Sequence, residues 1–197
     1  MTRIFPSLAS LSLMLFGVAL LLGLAIGDLY ADPPSEAAIQ WRGRHMLTGV
    51  AAALAVVFVE SIVVTYFIGT GRWCKEVTET YKLPLGDLAE STRLKRRTFP
   101  LALVGMLAVV GVSALGAASD PGTGRAGTAD MAAVHLAAAL AGFCLVGWTY
   151  YRAWLNIAAQ QQVIQRIVGQ VQRIRAELGL DDAPTPGAVA AGLSPPR

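Results

Sequence analysis

Four long apolar runs constrain this chain more than any other feature of its sequence. They cover roughly residues 8–29, 45–68, 99–118 and 129–151. The interiors of the first and third hold no charge; the second holds His45 and Glu60, and the fourth holds only His135 beyond Asp130 at its start. About 20 residues, each rising about 1.5 Å, cross a hydrocarbon layer of about 30 Å. Lipid offers no partner to a free backbone amide, so such runs must fold as helices. The predicted fold class is therefore all-α, an integral membrane four-helix bundle with an added helical extension. Composition agrees: charged residues make up 15% of the chain, where a soluble domain carries about 25%. The net charge of +3 comes from basic residues beside the apolar runs, so no nucleic-acid partner is expected.

The first run follows Arg3 and resembles a secretory signal. Its length exceeds the usual apolar region of such signals, and Leu29-Tyr30-Ala31 is a poor cleavage site. It is read as a span. Lys and Arg near the span ends set the expected orientation. Arg72, Lys75, Lys82, Arg93, Lys95, Arg96 and Arg97 follow span two, and Arg152, Arg166, Arg173 and Arg175 follow span four. The opposite side has only Arg42, Arg44 and Arg125. Both termini are thus expected on the cytoplasmic side of a bacterial-type inner membrane. The two cysteines, Cys74 and Cys144, do not make a disulfide framework, and no residues have metal-ligand spacing.

Three parts follow from this reading: a membrane bundle over 1–152, an amphipathic helix over 153–180, and an irregular tail over 181–197. In the connection 69–98, Gly69-Thr70-Gly71 is expected to end span two. Two short helices, 73–83 and 87–97, are expected around Pro84, the second with Asp87 as N-cap. Lys95, Arg96 and Arg97 sit where anionic lipid headgroups lie. After span four, Ile157, Ile164, Ile167, Val171, Ile174 and Leu178 form a heptad seam with Gln160 in the vacant slot. That seam needs cover, from the connection 69–98, from another copy, or from a partner subunit.

The two halves also look alike. Each opens with an uncharged helix carrying glycines: Gly17, Gly23 and Gly27, then Gly105, Gly111 and Gly116. Each re-enters with a histidine, and Glu60 and Tyr150 fall at the same offset from theirs. Two similar hairpins related by an axis along the membrane normal are expected. His45 and His135 then lie at one depth, within about one turn of the helix ends, on diagonal helices. Small residues stand below each: Gly49, Ala52 and Ala53, then Ala138, Ala139 and Gly142. Such a pair can supply both axial ligands of haem b, or it can simply pack. Glu60 needs the bundle interior or a polar cavity, with Thr65, Tyr150 or Arg152 as expected neighbours.

No nucleophile stands beside a base, so no catalytic residue is assigned. Three functions remain. The first is a non-catalytic subunit of a membrane assembly, docking through its last helix. The second is a b-type cytochrome or quinone-linked anchor. The third is a transporter or channel component that uses Glu60.

Overall fold

The computed structural model describes residues 1, 3–31 and 33–180. The expected irregular tail, 181–197, lies outside the described residues. Four helices account for nearly everything else: α1 (Ile4–Leu24), α2 (Glu36–Tyr81), α3 (Leu85–Ser119) and α4 (Thr128–Glu177), with one 3₁₀ turn at Pro121–Thr123. All four are long and apolar enough to cross a membrane. The fold is the expected all-helical bundle. Each helix packs on its neighbours in chain order, α4 returns to α1, and α2 meets α4 across the diagonal.

The boundaries differ from the expected ones in instructive ways. The first helix ends at Leu24, not Leu29. Ser35 caps α2 by accepting a hydrogen bond from the Ala38 amide at 3.2 Å. This starts α2 well ahead of His45. At the other end, Gly69-Thr70-Gly71 does not stop the helix. A helical glycine costs only about 1 kcal/mol, and the residues beyond it are buried. Cys74 and Thr78 are enclosed by the chain, so α2 runs on to Tyr81.

The two short helices expected over 69–98 are therefore continuations of spans two and three. They are joined by a turn of three residues, 82–84. Lys82 adopts a left-handed conformation (φ 50°) and ends α2. Pro84, not Asp87, occupies the cap position of α3; proline suits a helix start because it has no amide to satisfy. At about 1.5 Å per residue, α2 and α4 far exceed a bilayer. The molecule has two tiers: a four-helix tier at the histidine end and a three-helix tier at the hairpin end.

The three-helix tier settles what covers the heptad seam. Ile157 and Ile167 are buried, as are Val163 and Gln160 beside them. The cover is intrachain, from the ends of α2 and α3. Gln160 donates from Nε2 to Ser91 Oγ at 2.9 Å and approaches Cys74 Sγ at 3.7 Å. Asn156 donates to Thr98 Oγ1 at 3.0 Å. Arg166 pairs with Asp87 at 2.7 Å and Glu90 at 2.6 Å, and Gln170 donates to Asp87 at 2.9 Å. Ile164, Val171 and Ile174 are half-buried, and only Leu178 of the seam is exposed. Val171 and Ile174 still pack against the core, and Leu178 follows the end of α4.

Burial controls the thiol in this tier. It pushes Cys74 above the ordinary thiol range, with the Ser91 and Gln160 hydrogen bonds opposing. Thiolate is the reactive form. We expect a Cys144→Ser protein in mild detergent to resist N-ethylmaleimide at neutral pH, then take one adduct after denaturation in SDS. Rapid labelling before denaturation, read by intact mass, would show that the tier opens.

Candidate cofactor site at the histidine end

The two histidines meet. His45 on α2 and His135 on α4 stand with ring centroids 6.1 Å apart and planes 73° apart. Both are half-buried. They lie about two turns or more inside their helices, not one: α2 starts at Glu36, well ahead of its apolar run, and His135 is already seven residues past the start of α4 at Thr128.

Each ring rests on a glycine of the preceding helix. A Cβ on Gly23 would stand 3.0 Å from the His45 ring, and a Cβ on Gly116 would stand 3.0 Å from the His135 ring. One turn before Gly23, the Ala19 carbonyl lies 2.9 Å from His45 Nδ1. One turn before Gly116, the Val112 carbonyl is the backbone partner of His135, whose Nδ1 falls short of a regular hydrogen bond. A carbonyl at Nδ1 places the ring proton there and leaves Nε2 as the donor atom, the usual outer support of a metal-bound imidazole.

The spacing has chemical meaning. Two imidazoles sharing one metal carry two bonds of about 2 Å, and about 1 Å separates each nitrogen from its ring centre. Their centroids then stand about 6 Å apart. Gly49, one turn deeper than His45 on its face, has nothing within 4 Å of where a Cβ would be. The other small residues are used for close helix packing. A Cβ on Gly142 would stand 2.8 Å from Val112, and Ala52 and Ala139 are buried.

The likeness of the two halves extends through the core, in a register the glycine spacing did not give. The buried residues Phe5, Ala9, Ser12 and Phe16 of α1 answer, 93 positions on, to Thr98, Ala102, Gly105 and Val109 of α3, all buried. Gly23 answers to Gly116, not Gly111. In the second helices the shift is 90. Ala38, Ala52, Val56, Val59, Glu60, Val63 and Phe67 answer to Thr128, Gly142, Val146, Thr149, Tyr150, Ala153 and Ile157, again all buried. The histidines obey the same shift. The 6.1 Å contact therefore joins equivalent residues of the two halves, the arrangement that an internal twofold axis would produce.

Deeper in the bundle the same axis relates unlike groups. Glu60 is 1% exposed. Its Oε1 accepts from Thr149 Oγ1 at 2.9 Å, and its Oε2 is buried without a hydrogen-bond partner. Its contacts are Thr149 and Gly105; of the three expected neighbours, Tyr150 lies within electrostatic reach. The equivalent Tyr150 shares a hydrogen bond with Ser12 at 3.0 Å. Gly105 and Ser12 are themselves equivalent positions.

The loops at this end form a clasp that composition did not reveal. Arg42 pairs with Asp120 at 2.8 Å and packs on Gly122. The Tyr30 hydroxyl donates to the Ser119 carbonyl at 2.9 Å and reaches the Thr128 carbonyl at 3.3 Å. The sequence offers little signal for it, since Arg42 is one of three arginines at this end and Asp120 one of several acids. Burial pushes the Asp120 carboxyl up, but the Arg42 hydrogen bond, the Gly122 amide and the Arg42 charge outweigh it. Asp120 thus titrates below its ordinary value. A lowered folded-state value means stability that is full above the unfolded value of about 4 and lost as pH falls through the folded one. Asp120→Asn is expected to remove that acid-side loss, and thermal melts between neutral pH and pH 3 check it.

Among the described residues, no group of three or more His, Cys, Asp or Glu side chains could hold a bare metal ion. Compared with protein-family models, curated proteins and solved structures, the chain matches none at a significant level.

Proposed function

We propose that this chain is a membrane electron-transfer subunit of the b-type cytochrome class, with His45 and His135 as the two axial ligands of one haem. The observation that carries this reading is the facing pair of rings at 6.1 Å, each resting on a glycine, with His45 also held by the Ala19 carbonyl. Bis-imidazole ligation gives haem iron a low-spin centre suited to passing single electrons. The chain's own part is to fix both rings from opposite sides of the axis. The ring on α2 is held through Ala19 and Gly23, and the ring on α4 through Gly116. The α2–α3 hairpin end would face the cytoplasm, where the positive charge lies.

Work within a larger assembly belongs to the same proposal, since no nucleophile–base pair accompanies the histidines. The seam residues Ile157 and Ile167 are consumed inside the chain, which leaves Val168, Leu178 and Leu180 as the docking surface of α4. A transporter role has less support. The Glu60 carboxyl is closed in by Thr149 and the Gly105 backbone.

The test is a spectrum of the full-length protein purified from haem-replete cells. The expected result is one haem b per chain by pyridine haemochrome, with a reduced α band that both His45→Ala and His135→Ala abolish. A folded protein without haem overturns the proposal. So does stoichiometric copper in its place.

A further inference from the structure

Part of the charge at the hairpin end is paired. Arg166 is held by Asp87 and Glu90, Arg72 by Glu76, and Lys75 by Glu79. Arg93, Arg96 and Arg97 are exposed and have no acidic partner among the described residues. They stand at i, i+3 and i+4, so they share one face of α3. With Thr92 and Ala89 they line a shallow, open groove of about 400 Å³ formed by α3 alone. Lys95, expected in this group from the sequence, is not part of it. Its stem lies against Gly71 of α2, and Arg93 takes its place.

The same face changes character toward the membrane. Continuing at helical spacing, it presents Pro100, Leu103, Val104 and Leu107, all exposed. Three guanidinium groups at headgroup level thus lead directly into an apolar track. A free phosphate would use only the first part; an amphiphile uses both. Guanidinium is also the cation best shaped for phosphate oxygens, because it offers two parallel N–H donors.

We propose that this groove binds one anionic phospholipid, its phosphate held by Arg93, Arg96 and Arg97 and its acyl chains laid along Pro100, Leu103 and Leu107. The site is independent of the haem reading and needs only that α3 spans the membrane.

Native mass spectrometry of the full-length protein tests it. The protein is released from micelles that contain equal amounts of phosphatidylglycerol and phosphatidylcholine of matched chains. The expected result is one retained phosphatidylglycerol, favoured about tenfold, which corresponds to about 1.4 kcal/mol. Arg93→Gln/Arg96→Gln/Arg97→Gln should abolish the preference, and Lys95→Gln should leave it intact. The triple lysine variant preserves charge and insertion, and should keep only part of it. Unchanged preference in the triple glutamine variant overturns the proposal. So does full preference in the triple lysine variant, which would mean diffuse attraction. Displacement of the lipid by millimolar inorganic phosphate also overturns it, by showing a simple anion site.

Discussion

Gly105→Ala is expected to destabilise the protein by about 2–3 kcal/mol, the range for forcing an added methyl into a packed interior. The added Cβ would stand 2.5 Å from Glu60 Oε1 and 3.1 Å from Thr149 Oγ1. Neither neighbour can withdraw easily. Glu60 is enclosed, and Thr149 is tied both to it and to the Val146 carbonyl. The second variant makes the cause specific. Glu60→Ala removes the carboxyl that occupies the space, so Gly105→Ala should cost much less in a Glu60→Ala background. Detergent unfolding curves of the four proteins in this cycle measure the coupling. Additive losses would mean that Gly105 matters for helix flexibility rather than for the carboxyl. The equivalent contact offers an internal control. Ser12 already has a Cβ at the corresponding position, so Ser12→Ala should cost only the hydrogen bond to Tyr150, about 1 kcal/mol.

Gly116→Val and Gly23→Val should each uncouple the histidine pair. Even a Cβ at either site would stand 3.0 Å from a ring atom, and valine adds two methyls to it. The ring must swing away from the helix that braces it. Because the two sites answer to each other across the axis, the two variants should have similar effects. If the rings carry haem, each variant should convert a low-spin spectrum to a high-spin one or lose haem altogether, with a loss of affinity of 100-fold or more. A low-spin spectrum retained in both variants would show that the glycines do not position the rings. The alanine versions should fall between wild type and valine.

Much of this fold was legible in the sequence, because a membrane leaves few choices. Apolar length gave four helices, and the heptad step of Ile157, Ile164, Ile167, Val171 and Ile174 gave the long extension of α4. What covers that seam was not legible. The covering positions on α2 and α3 mix Val77, Leu88 and Leu94 with the small or polar Cys74, Thr78 and Ser91, which breaks up the apolar stripe. Gly69 and Gly71 read as a stop because local propensity favours one there. Packing of the residues beyond them outweighs that propensity, an effect that only tertiary structure reveals. The histidine pair was visible through matched positions in the two halves. Its support was not. Glycine spacing alone put the halves in the wrong register, since any glycine can align with any other. Burial fixed it, by pairing Ser12 with Gly105 and Gly23 with Gly116. The clasp of Arg42 and Asp120 joins the first turns of α2 to the loop after α3, far apart in the chain, and contacts at such separation leave no local pattern.

The internal twofold axis has one further consequence. Two identical chains related by such an axis would be forced to place the same residue on both sides of it. A symmetric dimer of the first hairpin would bring two copies of Glu60 into the low-dielectric centre of one bundle, where like charges repel strongly. Carrying both halves in one polypeptide removes that obligation. One side can hold a carboxyl and the other a phenol, while the layer above keeps a histidine on each side. Covalent linkage thus permits identity at one depth and division of labour at the next.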